Sequence, residues 1–459
     1  MTSNKSVTLC VDLDRTLIKT DILIESILSL LRNNVWSIFL LPFWLLNGKA
    51  YFKAKIAENA KINVTTLPYN EELVRFLTNK KKNGVEVVLV TATNLAYAEQ
   101  VANYLDIFSN IVASNNKENI KGVAKRDKLE SLYGKYGYDY IGDSKDDIPV
   151  WKSAGKCIFV GNSRDKRIFE GKKITFESFF DDSREGGYGK LIDYIKGVRV
   201  HQWAKNTLIF VPLFLTHGFH DKNLLLISII TFLSFSFAAS ANYLINDLID
   251  LELDRSHPTK KNRALASGNM FIGHAILSIP ILLVISYIMA LLVSPLLPVL
   301  LLVYLLVTFL YSIFLKKILI IDVITLAGLY TARIIVGVFA IQGSLSFWLL
   351  SFSMFLFFSL ALVKRCVELK LIESKNKTST FIDKKISGRG YWVGDEPILY
   401  NLGVASGLLA VLVFALYINS QEVSVLYGKP EILWLALPVL FFWVSRIWGL
   451  TYRGVMHED

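Results

Sequence analysis

The stretch "NDLIDLELDRSHPTKKNR" at residues 246–263 decides what the larger part of the chain is. It closes a long apolar segment, 223–245, and spaces Asn246, Asp247, Asp250 and Asp254 at i, i+1, i+4 and i+8. In a helix that spacing puts Asn246, Asp250 and Asp254 on one face. Carboxylates at a membrane edge are costly, so their default reading is functional. A face of acids suits a Mg²⁺-bound diphosphate, and the basic tail, with Lys260 and Arg263, suits its outer phosphate oxygens. A solvated helix end would explain the lysines but not the aligned acids.

Working outward, the 459 residues are 53% hydrophobic with a mean hydropathy of +0.42, too apolar for an ordinary soluble enzyme. Charged residues are dense up to about residue 200 and then retreat into short clusters between apolar runs. This predicts a soluble domain over 1–185, a linker over 186–197 and an all-α polytopic membrane domain over 198–459. About eight spans are expected, near 207–218 (short), 223–245, 273–293, 296–315, 320–341, 346–364, 399–418 and 431–450. Arg255, Lys260, Lys261, Arg263, Lys316, Lys317, Lys364, Arg365 and Lys370 fall in loops of one side, against Lys222 and Lys429 on the other. That asymmetry makes the basic side cytoplasmic, in a bacterial inner membrane, with both sites facing it. The net charge of +11 is absorbed by this topology and by a phosphate-rich substrate; the lysines and arginines flank membrane spans without a recognition module, which excludes nucleic acid. The N-terminus runs directly into a strand, so no signal peptide is expected. Cys10, Cys157 and Cys366 have no metal-site spacing.

In the soluble part, "SVTLCVDLD", "VEVVLVTAT", "NIVAS", "YDYIGD", "KCIFVG" and "KITFES" alternate with charged helical segments. Such alternation predicts an α/β domain with a mostly parallel sheet, its site at the carboxyl ends of the strands. "DLDRT" from Asp12, "VTATN" around Thr91, a downstream lysine and "GDSKDD" from 142 to 147 together resemble the haloacid dehalogenase superfamily of phosphatases. The resemblance implies Asp12 as the nucleophile and Asp14 as general acid, then base. It implies a Mg²⁺ site drawn from Asp12, Asp14, Asp143 and Asp147, and phosphate contacts from Thr91 and Lys125, with Lys128 in reserve. A helical cap is expected over about 20–70, where "NNVWSIFLLPFWLLNGKAYFK" is too short to span a bilayer, which needs about 20 residues. Two readings stand: a buried cap helix, or a cap dipping into the membrane interface.

In the membrane part, NDxxDxxxD resembles the UbiA-type superfamily of intramembrane prenyltransferases. The second acidic motif usual in aromatic prenyltransferases is missing; Tyr311, Lys316, Asp322, Arg333, Lys364, Arg365 and Glu368 stand in its region. With "QWAKN", "HPTK" and "KRCVEL" in order, residues 198–458 are similar to the polyprenyl-phosphate phosphoribosyltransferase branch. Ala264 stands where that branch shows proline, and one further short segment and helix are expected beyond "YRGVMHED". The resemblance implies a second Mg²⁺ site, holding the diphosphate of 5-phosphoribosyl diphosphate on Asn246, Asp247, Asp250 and Asp254, with Asp250 and Asp254 catalytic. A polyprenyl phosphate head group would lie among Lys205, Arg333, Lys364 and Arg365. The fused phosphatase would then remove the 5-phosphate, on the route to lipid-linked arabinofuranose. The alternative is transfer of a polyprenyl group from its diphosphate to an aromatic or other small acceptor. Degenerate relics are argued against by the intact acids, and a transporter by the lack of visible inverted repeats. The oligomeric state is left open, a homo-oligomer included.

Overall fold

The structure is a computed structural model and describes residues 7–115, 118–181, 186–374, 389–420, 423 and 429–456. It divides into two compact units: Met1–Val198 with Tyr243–Ser278, and Arg199–Asn242 with Ile279–Asp459. The first break, after Val198, falls at the end of the stretch 186–197, which forms a helix, Gly186–Gly197, and the acidic stretch is grouped with the N-terminal unit.

The first unit is built on six strands, β1 (Thr8–Val11), β2 (Val87–Asn94), β3 (Asn110–Ser114), β4 (Tyr138–Gly142), β5 (Cys157–Gly161) and β6 (Phe176–Asp181). They pair in parallel, in the order β3-β2-β1-β4-β5-β6. All four residues of β1 are buried, as a central strand covered on both faces requires. Alternate residues supply the two core layers. Leu9, Val11, Val87 and Leu89 meet Leu73 and Leu77 of helix Glu71–Lys82 and Tyr97 and Val101 of helix Leu95–Leu105. Cys10, Val88 and Val90 meet Leu129 of helix Val123–Tyr133 with Val150, Trp151 and Phe169. Cys10 and Cys157 are buried and free. The winding reverses at β1, between β2 and β4, and opens a crevice at the strands' carboxyl ends.

Between β1 and β2 the cap folds as helices Ile22–Asn33, Leu40–Leu46 and Lys49–Asn59 around Leu30, Ile56 and Ala60. No residue of Leu40–Leu46 is buried, and Trp36, Phe43 and Leu46 are 76%, 66% and 85% exposed. The cap is therefore not the buried helix that one of the two readings expected.

Seven described helices are long and apolar enough to cross a membrane, from Lys222–Ile249 to Glu431–Tyr452. The eighth expected span, 207–218, is instead 3₁₀ turns over Val200–Phe210 and a short helix Val211–Leu215. Pro212 opens that helix, and His217, at φ 54°, turns the chain away just after it. In the second unit small residues let backbones approach closely. A Cβ on Gly337, in helix Ile321–Ala340, would lie 2.2 Å from the carbonyl oxygen of Ile209. Gly328 in the same helix has nothing within 4 Å. Gly337→Ala is expected to cost about 1–3 kcal/mol through overpacking, lowering the midpoint of thermal unfolding in detergent. Gly328→Ala should leave that midpoint unchanged or raise it, since alanine is the better helix former.

Candidate active sites

At the carboxyl end of β1 the chain turns sharply, with Arg15 at φ 58°, and both aspartates enter the crevice. Asp12 is fixed by its backbone N–H donating to the Ile141 carbonyl at 3.0 Å, and its Oδ1 accepts the Leu13 N–H at 2.8 Å. Lys125 Nζ, on the helix behind β4, lies 3.1 Å from Asp12 Oδ1 and 3.4 Å from Asp147 Oδ1 and donates to the Tyr140 hydroxyl at 2.9 Å. Lys128 is exposed on the same helix, so the geometry selects Lys125 of the two candidates. The other Asp147 oxygen accepts the N–H groups of Asp143 and Ser144 at 3.2 and 3.1 Å.

Oxygens of Asp12, Asp143 and Asp147 lie within 4.8 Å of one another, the one such convergence of three potential ligands among the described residues. Three hard oxygen donors at this distance fit Mg²⁺. Asp14 stands outside that cluster, unlike its expected place among the ligands, because its carboxylate is already engaged. Ile22 N–H donates to one oxygen at 2.8 Å and the Thr93 hydroxyl to the other at 2.7 Å. Burial, against the opposing pull of Lys125 and helped by Asp147 and Asp14, pushes Asp12 up to about 7, and burial with Asp21 pushes Asp14 up to about 6. A carboxyl raised in this way can hold a proton for a leaving oxygen near neutrality. Thr91 is fully buried at the end of β2, its hydroxyl accepting the Thr93 N–H at 3.0 Å.

Sequence reading missed two partners here. Thr93 lies in the quoted "VTATN" and was legible only as a neighbour of Thr91. Lys53, on cap helix Lys49–Asn59, donates to the Ala92 carbonyl at 2.6 Å and to Asn119 at 3.1 Å. Burial lowers its pKa against the attraction of Asp14 and Asp21. No spacing rule links a cap lysine to a strand end far along the chain.

The acidic stretch is also in the first unit. Its helix continues through a kink at Asp250, where Lys222–Ile249 gives way to Leu251–Ser256. The N–H groups of Asp250 and Asp254 still donate to Asn246 and Asp250 carbonyls at 2.9 and 2.8 Å, which preserves the expected face. Asn246 Oδ1 is buried and finds no hydrogen-bond donor among the described residues, an orphan that a cation would satisfy. The acids also meet a fixed cation. Arg263 Nη1 sits 2.5 Å from Asp254 Oδ2 and 3.3 Å from Asp247 Oδ1. Two buried carboxylates facing each other need a positive charge, and the tail of the motif supplies it. Lys260 is exposed on the turn Lys260–Asn262.

In the second unit the remaining residues fall into two groups. Arg365 is 1% exposed and fully committed: Nε lies 2.5 Å from Asp322, Nη1 reaches Glu368 at 2.8 Å and Nη2 donates to the Tyr311 hydroxyl at 3.2 Å. Arg365, Asp322, Glu368 and Tyr311 are thus a buried ion network, not the head-group contact expected of Arg365. Lys316 lies on the turn Leu315–Lys317. Among the described residues Arg333 is held by neutral groups, Asn206 at 2.8 Å, Tyr304 at 2.7 Å and the Leu329 carbonyl at 2.6 Å. Burial and the like charges of Lys364, Arg333 and Arg199 pull Lys205 down to about 8. Lys205, Arg333 and Lys364 therefore make an electropositive group suited to an anion.

Residues 9–152 match the family model of haloacid dehalogenase-like hydrolases, and residues 207–385 that of the UbiA prenyltransferase family. Both are enzyme families, so the chain joins an α/β hydrolase-type domain to a multi-pass UbiA-type membrane domain. It is 33% identical to the uncharacterized protein y4nM of Sinorhizobium fredii over 468 residues, 99% of this chain and 87% of that one, and belongs to the same family. The nodulation protein NoeC of Azorhizobium caulinodans is 29% identical over 267 residues, 58% of this chain and 84% of that one. The decaprenyl-phosphate phosphoribosyltransferase of Mycobacterium tuberculosis is 34% identical over 183 residues, 39% of this chain and 61% of that one, less than two thirds of its length.

The raised carboxyls give a pH expectation. Because burial lifts Asp12 to about 7, the metal-free site is protonated below that pH and must lose a proton to bind Mg²⁺. The Mg²⁺ concentration giving half-maximal phosphatase activity should fall as pH rises from about 5.5 to 7.5 and level off above. Titrations of p-nitrophenyl phosphate hydrolysis at several pH values would read it.

Proposed function

We propose that the membrane domain transfers 5-phosphoribose from 5-phosphoribosyl diphosphate to a polyprenyl phosphate, and that the fused phosphatase then removes the 5-phosphate. The observation that carries this reading is the electropositive group Lys205, Arg333 and Lys364, of which Arg333 and Lys364 fall in the part of the chain where aromatic prenyltransferases carry a second acidic motif. An anionic lipid head group is its natural ligand. The similarity to decaprenyl-phosphate phosphoribosyltransferase supports the same substrates.

Asn246, Asp247, Asp250 and Asp254 would hold Mg²⁺ and through it the diphosphate, with Lys260 and Arg263 turning to its outer oxygens. Mg²⁺, when bound in either domain, offsets phosphate charge that would otherwise repel an anionic nucleophile. In the transferase the lipid phosphate oxygen attacks the anomeric carbon, the carbon–oxygen bond to diphosphate breaks, and diphosphate leaves with the electron pair. The attacking group is already an anion, so positioning and charge stabilisation carry the step without a general base. In the phosphatase Asp12 attacks phosphorus while Asp14 protonates the leaving ribose oxygen. Asp14 then takes a proton from the water that hydrolyses the aspartyl-phosphate.

The cap fits a lipid-bound substrate. From Ser26 to Ala57 it carries Arg32, Lys49, Lys53 and Lys55 and no acid, around the exposed Trp36, Phe43 and Leu46. That is the composition of a segment lying on an anionic bilayer. The product stays in the membrane, where a tethered phosphatase meets it at high effective concentration. On this reading both sites face the cytoplasm at a bacterial plasma membrane, and the product is polyprenyl-phosphoryl-ribose, a precursor of lipid-linked arabinofuranose.

Purified wild type and Asp12→Asn, given Mg²⁺, 5-phosphoribosyl diphosphate and a polyprenyl phosphate, should yield lipids differing by one phosphate, the heavier in the variant, by mass spectrometry. Conversion of a polyprenyl diphosphate and an aromatic acid instead, with no phosphoribosyl lipid from either protein, would refute the reading.

A further inference from the structure

Glu25 lies in the first turn of cap helix Ile22–Asn33 and is buried. Nothing in phosphatase chemistry asks for an acid there. Its two oxygens take the Arg255 guanidinium as a fork, Nη2 at 2.6 Å and Nη1 at 3.1 Å, with side chains 8% and 5% exposed. Each charge is satisfied further: the Thr20 hydroxyl donates to Glu25 at 2.7 Å, and Arg255 Nε donates to the Ala266 carbonyl at 3.1 Å. A bidentate, buried and fully bonded pair fixes geometry in a way a surface pair does not.

Both ends of this pair touch a candidate site through one short element. Arg255 follows Asp254 directly, and its hold on Ala266 closes the loop that carries Arg263. Three residues before Glu25, the N–H of Ile22 donates to Asp14. One helical turn therefore connects the phosphatase acid to the segment bearing the transferase acids. Further contacts strap the same segment to the same domain. Arg32 pairs with Glu252, the Arg15 guanidinium sits 4.1 Å above the Phe271 ring, and a Cβ on Gly268, at φ +76°, would meet Lys19 Cβ at 2.7 Å.

We propose that Glu25 of the phosphatase cap is a positioning residue for the transferase: through Arg255 it holds Asp254 and the 246–263 stretch in the geometry that binds the metal–diphosphate. The device rests on the proposed function for the identity of the donor but not for the fixing of the segment. It also implies reciprocity, so that filling the acidic segment biases the cap helix on which Asp14 leans.

Glu25→Gln removes the charge and keeps the shape. The KM for 5-phosphoribosyl diphosphate should rise about tenfold and kcat change less than about twofold, a size typical of coupled pairs. Hydrolysis of p-nitrophenyl phosphate, which needs no acidic segment, should stay within about twofold. Glu25→Gln/Arg255→Gln should be no worse than Glu25→Gln alone, because both buried charges are then gone. Arg32→Ala, at the more exposed neighbouring pair, should move KM in the same direction by less, and serves if Glu25→Gln does not fold. An unchanged KM in these variants, or additive losses in the double variant, would overturn the inference while leaving the proposed function intact. If wild type transfers no phosphoribose, the proposed function fails and hydrogen exchange decides the inference. Mg²⁺ with inorganic diphosphate should then protect residues 246–268 in wild type and not in Glu25→Gln; equal protection in both overturns it.

Discussion

A carboxylate taken out of water must meet a positive charge or give up its own, and the architecture is organised around that constraint. Asp12 and Asp147 face Lys125, Asp247 and Asp254 face Arg263, Glu25 faces Arg255, and Asp322 with Glu368 faces Arg365. The pairs are not equivalent. Arg365 with Asp322 and Arg255 with Glu25 are nearly inaccessible and bonded on every side, so they are permanent parts of the frame. Arg263 is 31% exposed on a loop and reaches acids whose neighbour Asn246 keeps an unsatisfied oxygen. A cation of that kind can be displaced, and its position marks where a ligand's charge would go.

The phosphatase half was legible in the sequence because its chemistry is local. The acids follow directly on short apolar strands, and parallel pairing around β1 brings the strand ends together whatever the helices do. The choice between Lys125 and Lys128 needed three dimensions, since one helical turn separates a buried contact with Asp12 from solvent. Lys53 and Thr93 needed them too. They serve the site through the cap and a bend in β2, where the register with β3 shifts between Thr91 and Asn94.

The membrane half was legible as composition and much less so as partnership. Hydropathy marks spans well, and it failed at 207–218, where Pro212 and a left-handed His217 keep an apolar run from extending as a helix. Charge alone could not separate Lys364 from Arg365. Adjacent on one helix, they point to opposite sides: Lys364 is exposed, and Arg365 is sealed against Asp322, forty-three residues earlier in sequence. Nor could spacing reveal that Glu25 answers Arg255, since 230 residues and a domain boundary in the sequence lie between them.

That sealing bears on the chemistry. Asp322 is one of two acids, with Glu368, among the residues that stand in the region of a second metal-binding motif. With Arg365 at 2.5 Å and Arg389 at 3.6 Å, both shared with Glu368, its charge is already balanced and it has none to offer a second cation. The charges that reach Lys205 are positive, those of Lys364, Arg333 and Arg199, and Arg333 is held by neutral groups. A unit that spends Asp322 on Arg365 and holds Arg333 through neutral groups suits an anion that brings no metal of its own. On the proposed reading a lipid monophosphate meets that description, and a prenyl diphosphate, which travels with Mg²⁺, does not.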